Sequence, residues 1–275
     1  MKKRFFIRWL ISSLMLIVNA CAAPAATQTA TLAPTPEASP TAEILITPVE
    51  SAFAPGEPTA APLDDILTSH TVTFDTADAA TISGELYGTG KTAVIFSVMG
   101  NCKPGWREFA QLTAAQGYMA LTYQWRGCKA NSVDQALIQK FLDDTRAAIT
   151  FVREQGAERI ILVGASLGGC ASAKLAIESQ ASGLVVVASP PSISQWGFEI
   201  ESADLNTDIP KLFITAENDN TVPADSTRAL YDLAAGPKEW QTYPGSAHGT
   251  DLFDGASAEE LQQRILGFIQ MIAAE

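Results

Sequence analysis

The rhythm of apolar and polar positions changes near Ile66. Upstream, after an apolar start, prolines, alanines and threonines run on with no period. Downstream, short apolar runs alternate with segments of helical spacing. Strand-like alternation covers His70 to Phe74 and Thr81 to Leu86, with a turn at Tyr87-Gly88-Thr89-Gly90. Thr92 to Val98 reads as a buried strand, Trp106 to Gln116 as a helix closed by Gly117, and Tyr118 to Tyr123 as the next strand. Leu137, Ile138, Phe141, Leu142, Ala148, Ile149 and Val152 keep helical spacing up to Gly156. Then come a strand over Arg159 to Val163, a helix over Leu167 to Glu178, and strands over Leu184 to Ala188 and Leu212 to Thr215. A helix over Pro223 to Ala235 and a strand over Glu239 to Tyr243 follow. The last helix carries Leu261, Ile265, Phe268, Ile269 and Ile272 on one stripe, and Ser257 with Glu260 predicts its capping box.

Strands alternating with helices predict a three-layer α/β fold, a mainly parallel sheet with helices on both faces. Ligands of such sheets bind beyond the carboxyl ends of the strands. Chemistry is therefore expected in the loops that follow strands.

The N-terminal segments read as an address and a tether. Residues 1–20 form a signal peptide: Lys2, Lys3, Arg4 and Arg8 precede an apolar run from Trp9 to Val18, too short to span a bilayer. Val18-Asn19-Ala20-Cys21 resembles the bacterial lipoprotein signal, which implies lipidation of Cys21 and a protein anchored outside the cytoplasm. Val18 and Asn19 depart from its usual residues, and an ordinary cleavage site nearby is the alternative. From Ala22 to Asp65 lie eight of the fifteen prolines, no Lys or Arg, and one aromatic residue, Phe53. Such a stretch buries too little apolar surface to offset its ordering entropy. Residues 21–65 are read as a lipidated cysteine and a disordered linker, and 66–275 as the folded domain.

Charge and composition then narrow the function. The chain carries 18 Lys+Arg against 30 Asp+Glu, a net −12; loss of the leader's four cations leaves 14 against 30, or −16. That balance excludes a nucleic-acid binder, which needs cations to displace counterions. Four cysteines make no zinc module, and two histidines, His70 and His248, make no His-rich metal site.

Gly164-Ala165-Ser166-Leu167-Gly168 is a G-x-S-x-G pattern between a predicted strand and a predicted helix, the setting of a nucleophile elbow. The turn is tight enough to need glycines. It lifts the Ser166 hydroxyl into the cleft and leaves the Leu167 amide at a helix start, where backbone donors favour negative charge. A hydroxyl needs a base. Histidine suits neutral pH, its reference pKa being about 6.5. His70 falls on an early strand, whereas His248 falls in the loop after the last strand. The orienting carboxylate is assigned to Asp219, in the loop after Thr215, with Glu217 in reserve. Asp225 is placed inside the next helix, and Asp251 and Asp254 fall after His248.

The order Ser166, Asp219, His248 resembles that of α/β-hydrolases. The elbow, the Glu217-Asn218-Asp219 to Pro223 loop, the Gly245 to Gly249 loop and Trp125-Arg126-Gly127-Cys128 with Ser132 carry the resemblance, over roughly residues 70 to 275. The elbow is also similar to those of dienelactone-hydrolase-like proteins and serine aminopeptidases. The resemblance implies a serine hydrolase that needs no cofactor, acts on a small ester or acyl substrate, and is expected to be a monomer. Carboxylic esters are the leading substrates. A peptidase or amidase of the same fold, or a non-catalytic tethered binding module, are the alternatives.

Met99 stands where the family commonly has a structural histidine. By position, the oxyanion amides are those of Leu167 and Asn101, with Gly100 or Cys102 in reserve for the second. A Gly-Asn pair also occurs here in haloalkane dehalogenases, but Ser166 and Leu167 replace their carboxylate and aromatic residue, so dehalogenation is rejected. In this fold the strands before Cys102 and Cys128 are neighbours, which implies either a disulfide bracing the oxyanion loop or two free thiols. Cys170 reads as a buried, inert thiol. About twenty residues separate Ala188 from Pro210, too few for a lid domain; Trp196 and Phe198 either form a small flap or pack on the surface. Lys103, Arg107, Arg126 and Lys129 fall near the mouth. Arg126 is read as a structural anchor and the others as solvated, with attraction of an anionic substrate as the alternative.

Overall fold

The computed structural model describes residues 68–130 and 134–274. The leader, Cys21, the linker and Ser132 lie outside the described residues. Ten strands are seen: β1 Ser69–Asp75, β2 Thr81–Tyr87, β3 Thr92–Ser97, β4 Met119–Gln124, β5 Arg159–Ala165, β6 Gly183–Val187, β7 Ser192–Ile193, β8 Phe198–Glu199, β9 Lys211–Ala216 and β10 Lys238–Tyr243. Five helices accompany them among the described residues: α1 Arg107–Ala115, α2 Gln135–Glu154, α3 Leu167–Leu175, α4 Ala224–Leu233 and α5 Ala258–Ala273.

Eight strands form one sheet in the order β1-β2-β4-β3-β5-β6-β9-β10. β1 with β2, and β2 with β4, are antiparallel; every later pair is parallel. β3, β6 and β9 are buried at every position, as strands covered on both faces must be. Alternate residues serve opposite cores. Ile95 belongs to the same core as Phe141 of α2, Ala171 of α3 and Leu230 of α4. Val94 and Phe96 belong to the opposite core, with Phe109 of α1 and Ile265 of α5. The expected three-layer arrangement is present.

From β3 the chain adds β4 on one side and later β5 on the other. Strand order reverses there, so a crevice opens beyond the carboxyl ends of β3 and β5. The loops at those two ends hold Asn101 and Ser166.

One local expectation fails. Ser257 precedes α5 but makes no side-chain cap; its φ of −96° and ψ of 11° turn the hydroxyl away from the amides it would accept. The Ala258 amide bonds Gly255 O and the Leu261 amide bonds Ser257 O instead, so the turn supplies the acceptors. A capping box does form elsewhere, between Glu201 and Asp204. Residues 188–210 hold only the β7–β8 hairpin and 3-10 turns. Phe198 is buried in the core and Trp196 packs half-buried against it, so neither forms a flap. Gln139 Nε2 donates to Gly197 O and pins the hairpin to α2.

Candidate active site

Ser166 sits between β5 and α3 with φ 53° and ψ −123°, a conformation non-glycine residues avoid. Three bonds hold it there. Its amide donates to Val187 O at 2.9 Å, and its carbonyl accepts from the Cys170 amide and from Ser189 Oγ at 2.8 Å. The bend works because α3 lies directly on the sheet: a Cβ on Gly168 would come within 2.3 Å of Ser97 O. The Leu167 amide is in the first turn of α3 and has no intrahelical acceptor.

Asp219 and His248 meet across two loops. His248 Nδ1 lies 2.8 Å from Asp219 Oδ2, and the Asp219 carboxylate is fully buried. The other carboxylate oxygen accepts from the Thr221 and Val222 amides at 2.8 and 2.9 Å. One oxygen fixes the loop and the other faces the ring. The two loops are also joined through backbone, Glu217 N to Tyr243 O and Asn218 N to Gly245 O. Glu217 is exposed, and Asp225 is exposed on the first turn of α4. His70 is exposed on the edge strand β1.

Gly249 brings the histidine loop against the elbow. A Cβ there would lie 2.3 Å from Met99 Sδ and 3.5 Å from the Cβ of Ala165, and its φ of +56° also suits glycine. Met99 is thus packed against the histidine loop. Asn101 is exposed, and its Oδ1 accepts from the Lys103 amide. The Cys102 amide donates to Met99 O, so it is spent in a turn. A Cβ on Gly100 would touch Leu167 Cδ2 at 3.4 Å, which sets this loop beside the Leu167 side chain.

Cys102 and Cys128 form a disulfide with Cα atoms 5.6 Å apart. Arg126 anchors the Cys128 loop: its amide and Nε bond Asp144, and its guanidinium pairs with Asp78. That hydrogen bond holds the Asp78 carboxyl well below the usual carboxylate range, with Thr76 and Lys140 adding to it. Cys170 is buried and its thiol is pushed up to about 12, the signature of an unreactive sulfur.

Lys103 differs from the expectation. It is exposed, but its ammonium is also paired with Asp251 and Asp254. Sequence reasoning also missed Ser189 behind the elbow and the Met99–Gly249 contact. No local pattern announces partners so far apart in the chain. A cavity of about 190 Å³ lies beside the loop after β3 rather than over Ser166, walled by Phe96, Val98, Cys102, Trp106 and Arg107.

A parallel sheet with a serine at a strand–helix elbow, at the switch point of the strand order, defines the α/β-hydrolase class. Within it, the chain belongs to the dienelactone hydrolase family, whose model matches residues 90–264. No curated protein is similar enough to count as a match. Solved structures share the fold. An esterase domain from a Rhodothermus marinus protein is 17% identical, covers 73% of this chain and 97% of its own, with a TM-score of 0.60. Esterase 2 of Thermogutta terrifontis, phosphoramylated by tabun, is 19% identical over 75% of this chain and 96% of its own, at 0.62. The Pyrococcus furiosus esterase Pf2001 is 16% identical over 77% and 95%, also at 0.62.

Proposed function

We propose that the protein is a serine hydrolase of carboxylic esters, with Ser166 as nucleophile, His248 as base and Asp219 as its orienting acid. The observation that carries the reading is the buried Asp219–His248 pair, clamped by two backbone amides, in the loop packed against the Ser166 elbow. The esterases among the structures of similar fold point the same way.

In this mechanism Ser166 Oγ attacks the acyl carbonyl while His248 Nε2 takes its proton. Asp219 holds Nδ1–H and stabilises the imidazolium. The developing oxyanion is bound by the amides of Leu167 and Asn101. His248 then protonates the leaving alcohol, and water, deprotonated by the same ring, releases the acid from the acyl-enzyme.

Labelling with a fluorophosphonate tests the nucleophile. Wild type should label and Ser166→Ala should not, with kcat on short esters falling about 10⁵-fold; an active Ser166→Ala protein overturns the mechanism. Faster turnover of aminoacyl amides than of short acyl esters would move the substrate class to amides. The same proposal places the enzyme outside the cytoplasm, lipid-anchored through Cys21 at the end of a linker over 21–65. Cys21→Ala should shift it from the membrane to the soluble fraction, and unchanged membrane retention would refute the anchor.

A further inference from the structure

The segment carrying Asn101 is gripped from both sides. On one side Cys102 is bonded to Cys128 of the Arg126 loop. On the other, the segment touches the 3-10 turn Gly249–Asp254 that follows His248 at three points. Met99 packs on Gly249 and accepts a weak contact from Thr250 Oγ1 at 3.8 Å. Gly105 lies so close to Thr250 that a Cβ would meet its hydroxyl at 2.1 Å. Between them, Lys103 Nζ donates to Asp251 and, at 3.4 Å, to Asp254 Oδ2. Lys103 is also the residue whose amide holds the Asn101 side chain. Asp251 in turn bonds the carbonyl of His248 through its amide.

Resting on the hydrolase reading above, we propose that Lys103 is a positioning residue: it straps the Asn101 oxyanion loop to the histidine loop, keeping amide donor and base in register around Ser166. The strap joins loops separated by 148 residues of sequence. Both partners are about half exposed, so the pair adds little to global stability. Its effect falls on geometry. Oxyanion donors act only when aimed at the developing charge, and small displacements of such a loop are felt in the transition state rather than in ground-state binding. With two carboxylates on its ammonium, the Lys103 cluster carries a net negative charge and offers little attraction to an anionic substrate.

The test uses the full, oxidised chain and a neutral short acetate ester beside an anionic ester of the same alcohol. Variants are Lys103→Met, Lys103→Arg, Asp251→Asn and the double Lys103→Met/Asp251→Asn. Lys103→Met should lower kcat on the neutral ester about tenfold, well inside the 10²–10³ that loss of a whole donor costs. KM and Tm should barely move, Lys103→Arg should restore most of the rate, and the double variant should be no worse than the worse single one. An unchanged kcat, or a KM rise confined to the anionic ester, overturns the strap; the second outcome makes Lys103 a steering cation. If Lys103→Met fails to fold, Asp251→Asn reads the same bond from its other end. Wild type that takes no fluorophosphonate label overturns the hydrolase reading and the strap with it. Labelled wild type with additive single losses overturns the strap alone.

Discussion

Two loops at the carboxyl edge of the sheet, one after β9 and one after β3, are held by different means. The acid loop after β9 is fixed by main chain: Asp219 caps its own turn at Thr221 and Val222, and residues 217 and 218 bond the carbonyls of Tyr243 and Gly245. The loop after β3 makes turn bonds of its own, Cys102 N to Met99 O and Gly105 N to Lys103 O, but is tied to neighbouring loops by side chains: the Cys102–Cys128 disulfide, the Lys103 ion pairs and the packing of Met99. Backbone turns are local and self-determined. Side-chain cross-links depend on residues far away in sequence. An oxyanion loop lies at a crossing of several elements and can be braced by any of them.

The sharpest break on the acid side is Asp219→Asn. Asparagine can still offer an oxygen to the Thr221 and Val222 amides, so the loop keeps its turn. Its amide group then faces His248 Nδ1 and imposes the tautomer that carries the proton on Nε2, which cannot accept one from Ser166. We expect kcat on short esters to fall about 10⁴-fold with the fold preserved. Steady-state kinetics with circular dichroism decides it; a variant within tenfold of wild type would place the orienting acid elsewhere. The loss expected at Lys103 is far smaller, because a strap perturbs geometry while leaving every reacting group in place.

The same contrast explains what could be read from the sequence. The elbow was legible because a tight strand–helix turn demands Gly164 and Gly168 around Ser166, and the demand is written within five residues. The meeting of Asp219 with His248 was legible because each lies in a short loop after a predicted strand. The sheet was legible for the same reason, since β3, β6 and β9 are apolar runs closed by polar or glycine residues. The Lys103 strap was not. Its partners are two among many acidic residues, and nothing in the composition marks Asp251 or Asp254 as facing it. The Ser257–Glu260 pattern misled, because a motif of side chains forms a cap only if the backbone of its first residue is extended. Arg126 was placed correctly as an anchor, but Asp144 and Asp78, which hold it, come from α2 and the β1–β2 turn and became visible only in the fold.

The smallest expected effect sharpens the comparison on the acid side. Glu217 lies two residues before Asp219, on the same loop and with the same charge. Sequence alone left it as the reserve carboxylate. In the fold its amide is bonded to Tyr243 O while its side chain is exposed, whereas the Asp219 carboxylate is buried and touches the imidazole. A carboxylate in water is screened and pays side-chain entropy to reach any partner, so it contributes little. Glu217→Gln should therefore change kcat by less than about twofold and leave Tm in place, as exposed substitutions do. The informative measurement is the pair of variants side by side on one ester. A large loss at Glu217→Gln with a mild one at Asp219→Asn would exchange their roles and show that the loop rearranges when substrate binds. The opposite ranking means that burial beside the ring, rather than charge or position in the loop, selects the acid.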